Sequence, residues 1–227
     1  MKAIKILSFL CLIQCYLFGQ DIEILGGLNI NNYYDFQTKN SKYHTEYKDG
    51  NGIHIGVGFR GVRIKNQENE IIGINLYLIY DNYSGAVKTF KEIGNGGRLT
   101  EFSTQKHILS FGIYAPEIKL LQKKLRFSFG PEIRFLLGDK INGSLKSISE
   151  TSQLLLELYN EDIKGFSNPV TLGLSFKFGY LININNQFML QPQYNISIGV
   201  TNEFKEYRPP VQSMIHRFSI GIIRKFE

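Results

Sequence analysis

After residue 15 the sequence contains no cysteine; its two thiols are Cys11 and Cys15. A disulfide framework, a cysteine metal site and a cysteine nucleophile are therefore excluded from everything downstream. Beyond the first residues there is no apolar run of about 18 or more, so no helix spans a bilayer. The basic surplus, formally +6, is scattered and never interleaves with aromatics in one run. Nucleic acid is not the partner such a pattern suits. GNGGR (94–98) clusters three glycines without a helical pattern after it, so it is no phosphate cradle. No cofactor is expected.

The first 19 residues, MKAIKILSFLCLIQCYLFG, place Lys2 and Lys5 before an apolar stretch from Ile6 to Phe18 and a small Gly19. That order reads as a cleaved secretory signal peptide, with cleavage near Gly19–Gln20. A lipobox ending at Cys15 would need a small residue where Gln14 stands, which disfavours lipid attachment. Residues 20–227 remain as one domain, and loss of the two lysines lowers the formal charge to +4.

What that domain has in quantity is alternation. In KLRFSFGPEIRF (124–135), Leu125, Phe127, Phe129, Pro131, Ile133 and Phe135 share one parity; Arg126, Ser128, Gly130, Glu132 and Arg134 share the other. A period of two sends these sets to opposite faces of a strand. The same pattern recurs in 21–34, 52–64, 70–81, 106–118, 170–182, 188–200 and 215–226. Eight strands of roughly ten residues suit a tilted crossing of an apolar layer. The gaps alternate in length: 65–69, 119–124 and 183–187 are short, whereas 35–51, 82–105, 138–169 and 201–214 are long.

The expectation is an all-β, closed antiparallel eight-stranded transmembrane β-barrel, an up-and-down meander with short periplasmic turns and long extracellular loops. The rival is a soluble lipid-binding calyx with the apolar face inward. Glycines on the polar face of most strands, such as Gly27, Gly56, Gly130 and Gly221, favour a narrow polar lumen filled around large partners. Mid-strand Pro131 and Pro192 each forfeit a ladder hydrogen bond, so a bulge is expected beside each. Arg224 points at lipid by parity and needs an interfacial position.

With the strands placed, the chain resembles small outer-membrane barrels, in particular the PorT-like family, and is similar in architecture to the OmpA and OmpX barrels. The resemblance covers residues 20–227 and includes the last strand, SIGIIRKF (219–226), with its terminal aromatic Phe226. It departs at Arg224 and at Glu227 after the aromatic. The resemblance implies a Gram-negative outer-membrane location among lipid and lipopolysaccharide, and assembly by the outer-membrane insertion machinery. It transfers no activity.

The inward set holds His54, Arg60, Arg126, Glu132, Arg134, Lys177 and Arg217, with one acid among five basic groups and a histidine. Either these charges form a plug or they line a small anion-preferring pore. In loop 138–169, Ser149 suits a helix cap, Leu154, Leu155, Leu158 and Tyr159 form a helical stripe, and Gly165 suits a stop. That stripe covers the barrel mouth or docks a protein partner. Tyr33, Tyr34, Tyr43, His44, Tyr47, Phe204, Tyr207 and Arg208 are rim aromatics and charges, suited to an interface girdle or to sugar and lipid headgroups. An enzyme is not expected. His216 and Ser219 face opposite ways, and His54 with Ser110 is the remaining candidate for a lipid-modifying pair. The reading is a structural or interaction protein whose loops contact a protein, glycan or lipid.

Overall fold

A computed structural model of the chain describes residues 21–35, 43–65, 71–93, 96–148, 154–161, 166–205 and 210–225. The proposed signal peptide lies outside them. Eight strands close into a ring: β1 (Asp21–Tyr34), β2 (Gly50–Lys65), β3 (Ile71–Ile93), β4 (Gly96–Tyr114), β5 (Leu125–Ile148), β6 (Val170–Tyr180), β7 (Phe188–Gly199) and β8 (Gln212–Arg224). Each pairs antiparallel with the next, and β1 pairs with β8 from Ile22↔Arg224 to Tyr34↔Gln212. Followed once around the ring, the register returns to β1 about ten residues further along, a stagger that tilts eight strands by about 40°.

Alternation decides the faces as the pattern predicts. Along β6, exposed and buried positions alternate except at half-buried Phe176, with Leu172, Leu174 and Phe178 outward and Thr171, Ser175 and Lys177 inward. The outward belt is apolar on every strand: Ile24 is 61 % exposed, Leu28 65 % and Ile55 60 %. The calyx would require these residues inside. They are outside, and the interior is charged.

The prolines come without bulges. Pairing of β4 with β5 ends at Gly112↔Glu132, next to Pro131, and continuous pairing of β6 with β7 begins at Gly179↔Gln193, next to Pro192. Each proline therefore stands where one ladder stops, and it stays in register with its other neighbour, Leu174 for Pro131 and Ile220 for Pro192. The two register shifts lie elsewhere. One falls between Phe59 and Val62, where Gly61 takes φ +72°, and one at His107/Ile108.

The long gaps are only partly loops. β3, β4 and β5 run for 23, 19 and 24 residues, and β3 and β4 stay paired out to Ile93↔Gly96. Tyr43–Lys48 adds to the outer part of β3, and Leu154–Glu161 adds to β5. An open five-stranded sheet thus continues past the ring on one rim. The helical reading of 147–165 is corrected accordingly. Residues 154–161 form a strand paired with Ile141–Ile148, and a strand backbone does not gather positions 154, 155, 158 and 159 on one face. Leucine and tyrosine serve a paired strand readily, and tertiary pairing overrides the helical spacing. Ser149 and Gly165 fall outside the described residues.

Candidate functional site

The lumen is where the chemistry-bearing side chains meet. Inward parity on β3, β5 and β8 brings Asp81, Glu132 and Arg217 together at mid-height. Arg217 donates from Nε and Nη2 to Asp81 at 2.9 and 2.8 Å, and from Nη1 and Nη2 to Glu132 at 2.9 and 3.0 Å. Arg134 donates to the same Glu132 from Nε at 2.9 Å, and its other arms reach Ser213 and Ser197. Asn195 accepts from Arg217 at 3.0 Å. All four charged groups are buried.

Toward the short-turn rim, Lys177 donates to Glu23 at 3.0 Å and sits 3.9 Å above the Tyr77 ring, whose hydroxyl also donates to Glu23 at 2.7 Å. At that rim itself, Arg60 and Arg126 share Glu117 at 2.6 and 3.3 Å. A cavity of about 430 Å³ opens there, lined by Asp21, Arg60, Asn75, Glu117, Lys119 and Arg126 among others. The mid-lumen cavity beside His54, Tyr114 and Arg217 is about 10 Å³, room for about one water.

The other rim is closed by the chain itself. Residues 203–205 bond back to 166–168 and 211, carrying Glu203 and Phe204 into the mouth. Phe204 packs with Tyr33, Val87, Phe102, Ile141 and Val211, with Tyr47 and Phe166 against the cluster. Beneath it Lys106 donates to Glu203 at 2.9 Å, with its ammonium 4.3 Å from the Phe204 ring centre. Burial alone would raise the Glu203 carboxyl. Lys106 and Arg134 outweigh it, with hydrogen bonds from Ser213 and Lys106, and hold it below its ordinary 4.5.

All six charges singled out on the inward parity, Arg60, Arg126, Glu132, Arg134, Lys177 and Arg217, do face inward. The single-acid balance is corrected: among the described residues six cations, counting Lys106, meet five carboxylates, Glu23, Asp81, Glu117, Glu132 and Glu203. Glu23 and Asp81 lay on the inward parity of strands already recognised, so alternation could have found them. Glu117 lay on the outward parity of 106–118, but the strand ends at Tyr114 and frees it to turn to Arg60 and Arg126; Glu203 comes from a connection, where parity gives no signal. Tyr33 and Phe204 are corrected as well. They are buried in the plug rather than displayed at the rim, because the chain folds inward over an otherwise open apolar mouth. His44 belongs to the Tyr43–Lys48 strand instead of a loop. Tyr207 and Arg208 fall outside the described residues. No hydrogen bond joins His54 to Ser110, whose hydroxyl receives Arg217 at 3.4 Å.

No protein-family model matches the chain, and no curated protein sequence is similar to it. Among solved structures, it resembles the attachment invasion locus protein Ail of Yersinia pestis at 10 % identity, over 91 % of this chain and 99 % of that one, with a TM-score of 0.39. It is similar to Neisserial surface protein A at 11 % identity, over 90 % and 97 % of the two chains, TM-score 0.40. OprG of Pseudomonas aeruginosa matches at 11 % identity over 90 % and 96 %, TM-score 0.38. Likenesses at this level carry no weight for function; the barrel stands on its own closed ring of strand pairs.

Proposed function

We propose that the chain is an exported outer-membrane barrel with a non-catalytic, non-conducting body, and that it acts by presenting its protruding sheet to a partner. One observation carries the reading: large apolar side chains face outward around the ring, exposed on seven strands and half-buried on β7, about an interior of ion pairs. In water such a belt is costly, since soluble monomers rarely expose contiguous apolar patches beyond a few hundred Å². In a bilayer the closed ladder satisfies the backbone and the belt meets acyl chains.

The paired charges support a plugged lumen over an anion pore. Arg217 and Arg134 are held by Asp81, Glu132 and serines, which leaves no free cation rung at mid-height among the described residues. A partner then has the rim to engage. Beyond the ring, the strand Leu154–Glu161 pairs on one side only among the described residues, with β5, and an open strand edge is a template for an extended segment of another protein. A glycan or lipid contact at the same rim belongs to the same proposal. So do PorT-like membership, export by the leader and assembly through the last strand.

The test is envelope fractionation followed by gel electrophoresis with and without boiling. An outer-membrane band that shifts on boiling supports the reading. A soluble band with no shift overturns it.

A further inference from the structure

Tyrosine and histidine meet twice on the outward face. Tyr80 Oη lies 2.6 Å from His107 Nδ1, and Tyr194 Oη lies 2.6 Å from His216 Nδ1; the rings stack with centres 6.1 and 6.0 Å apart. A hydroxyl that donates to Nδ1 leaves the neutral imidazole's proton on Nε2. In that tautomer each pair presents one N–H donor to whatever surrounds the barrel, and no acceptor for either Nε2 occurs among the described residues.

The surroundings of the two pairs differ. His216 is paired with Ile30 and Ile196, and Tyr194 with Phe218. Further along, the outward positions stay apolar at Ile198 on β7 and at exposed Val200 just past its end. That pair sits inside the apolar belt. His107 is paired instead with Asn82 and Gly138. One outward step beyond it, Gln105 is paired with Ser84 and Lys140, and all three are exposed. The belt ends here, on three adjacent strands at once.

What replaces the belt is a set of donors. Asn82 and Gln105 offer amides, His107 its Nε2–H, and Lys140 an ammonium. Gly138 leaves the imidazole uncovered on one side: a Cβ there would still be 3.7 Å from His107 Cδ2. Among the described residues, carboxylates are kept away. Asp139 accepts from Ser167 within the cap, and Glu101, the nearest outward carboxylate on β4, stands six residues from His107, about 20 Å along an extended strand.

A patch rich in donors, and free of acids among the described residues, at the edge of an acyl-facing belt is complementary to phosphate oxygens at headgroup depth. We propose that the outward face around His107 and Lys140, braced by Tyr80, binds the phosphate of an outer-leaflet lipid headgroup. The site rests on the membrane reading above and adds to it a defined lipid position. The Tyr194–His216 pair, with the same chemistry but apolar neighbours, is its internal control.

The experiment uses the folded full chain in a phosphate-free, non-ionic detergent and counts retained lipid by native mass spectrometry. The probes are diphosphorylated lipid A, the same lipid dephosphorylated, and inorganic phosphate. Wild type retains the diphosphorylated lipid preferentially; His107→Phe and Lys140→Gln each weaken retention about tenfold, the scale of one charge-assisted hydrogen bond, whereas His216→Phe does not. Lys140 lies on the exposed sheet, so its variant keeps the test alive if His107→Phe fails to fold. Equal retention by all three variants overturns the site, as does displacement by inorganic phosphate alone at matched concentration, which would make it a free-phosphate site. Failure of the membrane reading shows separately, as a wild type with no boiling-dependent gel shift.

Discussion

Arg217 on β8 and Asp81 on β3 form a two-point ion pair, Nε to Oδ1 at 2.9 Å and Nη2 to Oδ2 at 2.8 Å, across 136 residues of sequence. The pair ties opposite parts of the ring through the lumen. Its remaining arms reach Glu132, which Arg134 also holds, so four buried charges depend on one another.

Glu132→Ala should be the most damaging single change in the lumen. It leaves two buried guanidiniums short of a partner, and breaking a buried pair from one side costs about 3–5 kcal/mol. Urea unfolding of the vesicle-inserted protein, followed by loss of the unboiled gel band, checks this. A loss under 1 kcal/mol would mean that water replaces the carboxylate.

Phe204→Ala should destabilise by about 3–5 kcal/mol, because a large buried ring is removed from an aromatic cluster. Phe204→Leu, which keeps most of the volume, should recover more than half of that. The same unfolding assay compares them.

Glu203 gives a pH dependence with a definite sign. Its carboxyl is held below 4.5 in the folded protein, despite burial, by Lys106 and Arg134. A depressed acid contributes stability that is complete above its unfolded value and is lost as pH falls through the lower folded value. The stability difference between wild type and Glu203→Gln should therefore be constant near neutral pH and shrink once the pH drops below 4.5. A difference that grew on acidification would contradict the pairing.

Two glycines separate a filled place from an open one. A Cβ on Gly130 would lie 1.9 Å from the Ile113 carbonyl oxygen, whereas one on Gly138 meets nothing closer than 3.7 Å. Gly130→Ala should reduce the yield of folded barrel in refolding trials. Gly138→Ala should leave it unchanged.

Most of the ring was legible because the side-chain period of a strand is physically strict. Parity alone assigned Phe129 outward and Lys177 inward, and the structure agrees. Three things were not legible. The outer parts of β3, β4 and β5 extend past the ring and its apolar belt, so residues 84–105 and 138–148 carry no apolar alternation to read. Leu154, Leu155, Leu158 and Tyr159 fit a helical stripe, and only the pairing of 154–161 with 141–148 makes them a strand. Glu203 and Phe204 sit in TNEFKEYRPP, which reads as a polar loop; long-range contacts with Lys106 and Phe102 fold it inward.

The central claim is that the phenyl and isoleucine belt faces lipid. Removal of the first 19 residues leaves no native thiol, so a single introduced cysteine reports on one position. A nitroxide on Leu174→Cys, in protein inserted into vesicles, should collide freely with oxygen and be shielded from a water-soluble nickel chelate. One on Ser103→Cys, on the protruding sheet, should show the reverse. Strong nickel accessibility at position 174 in the inserted protein would contradict the account.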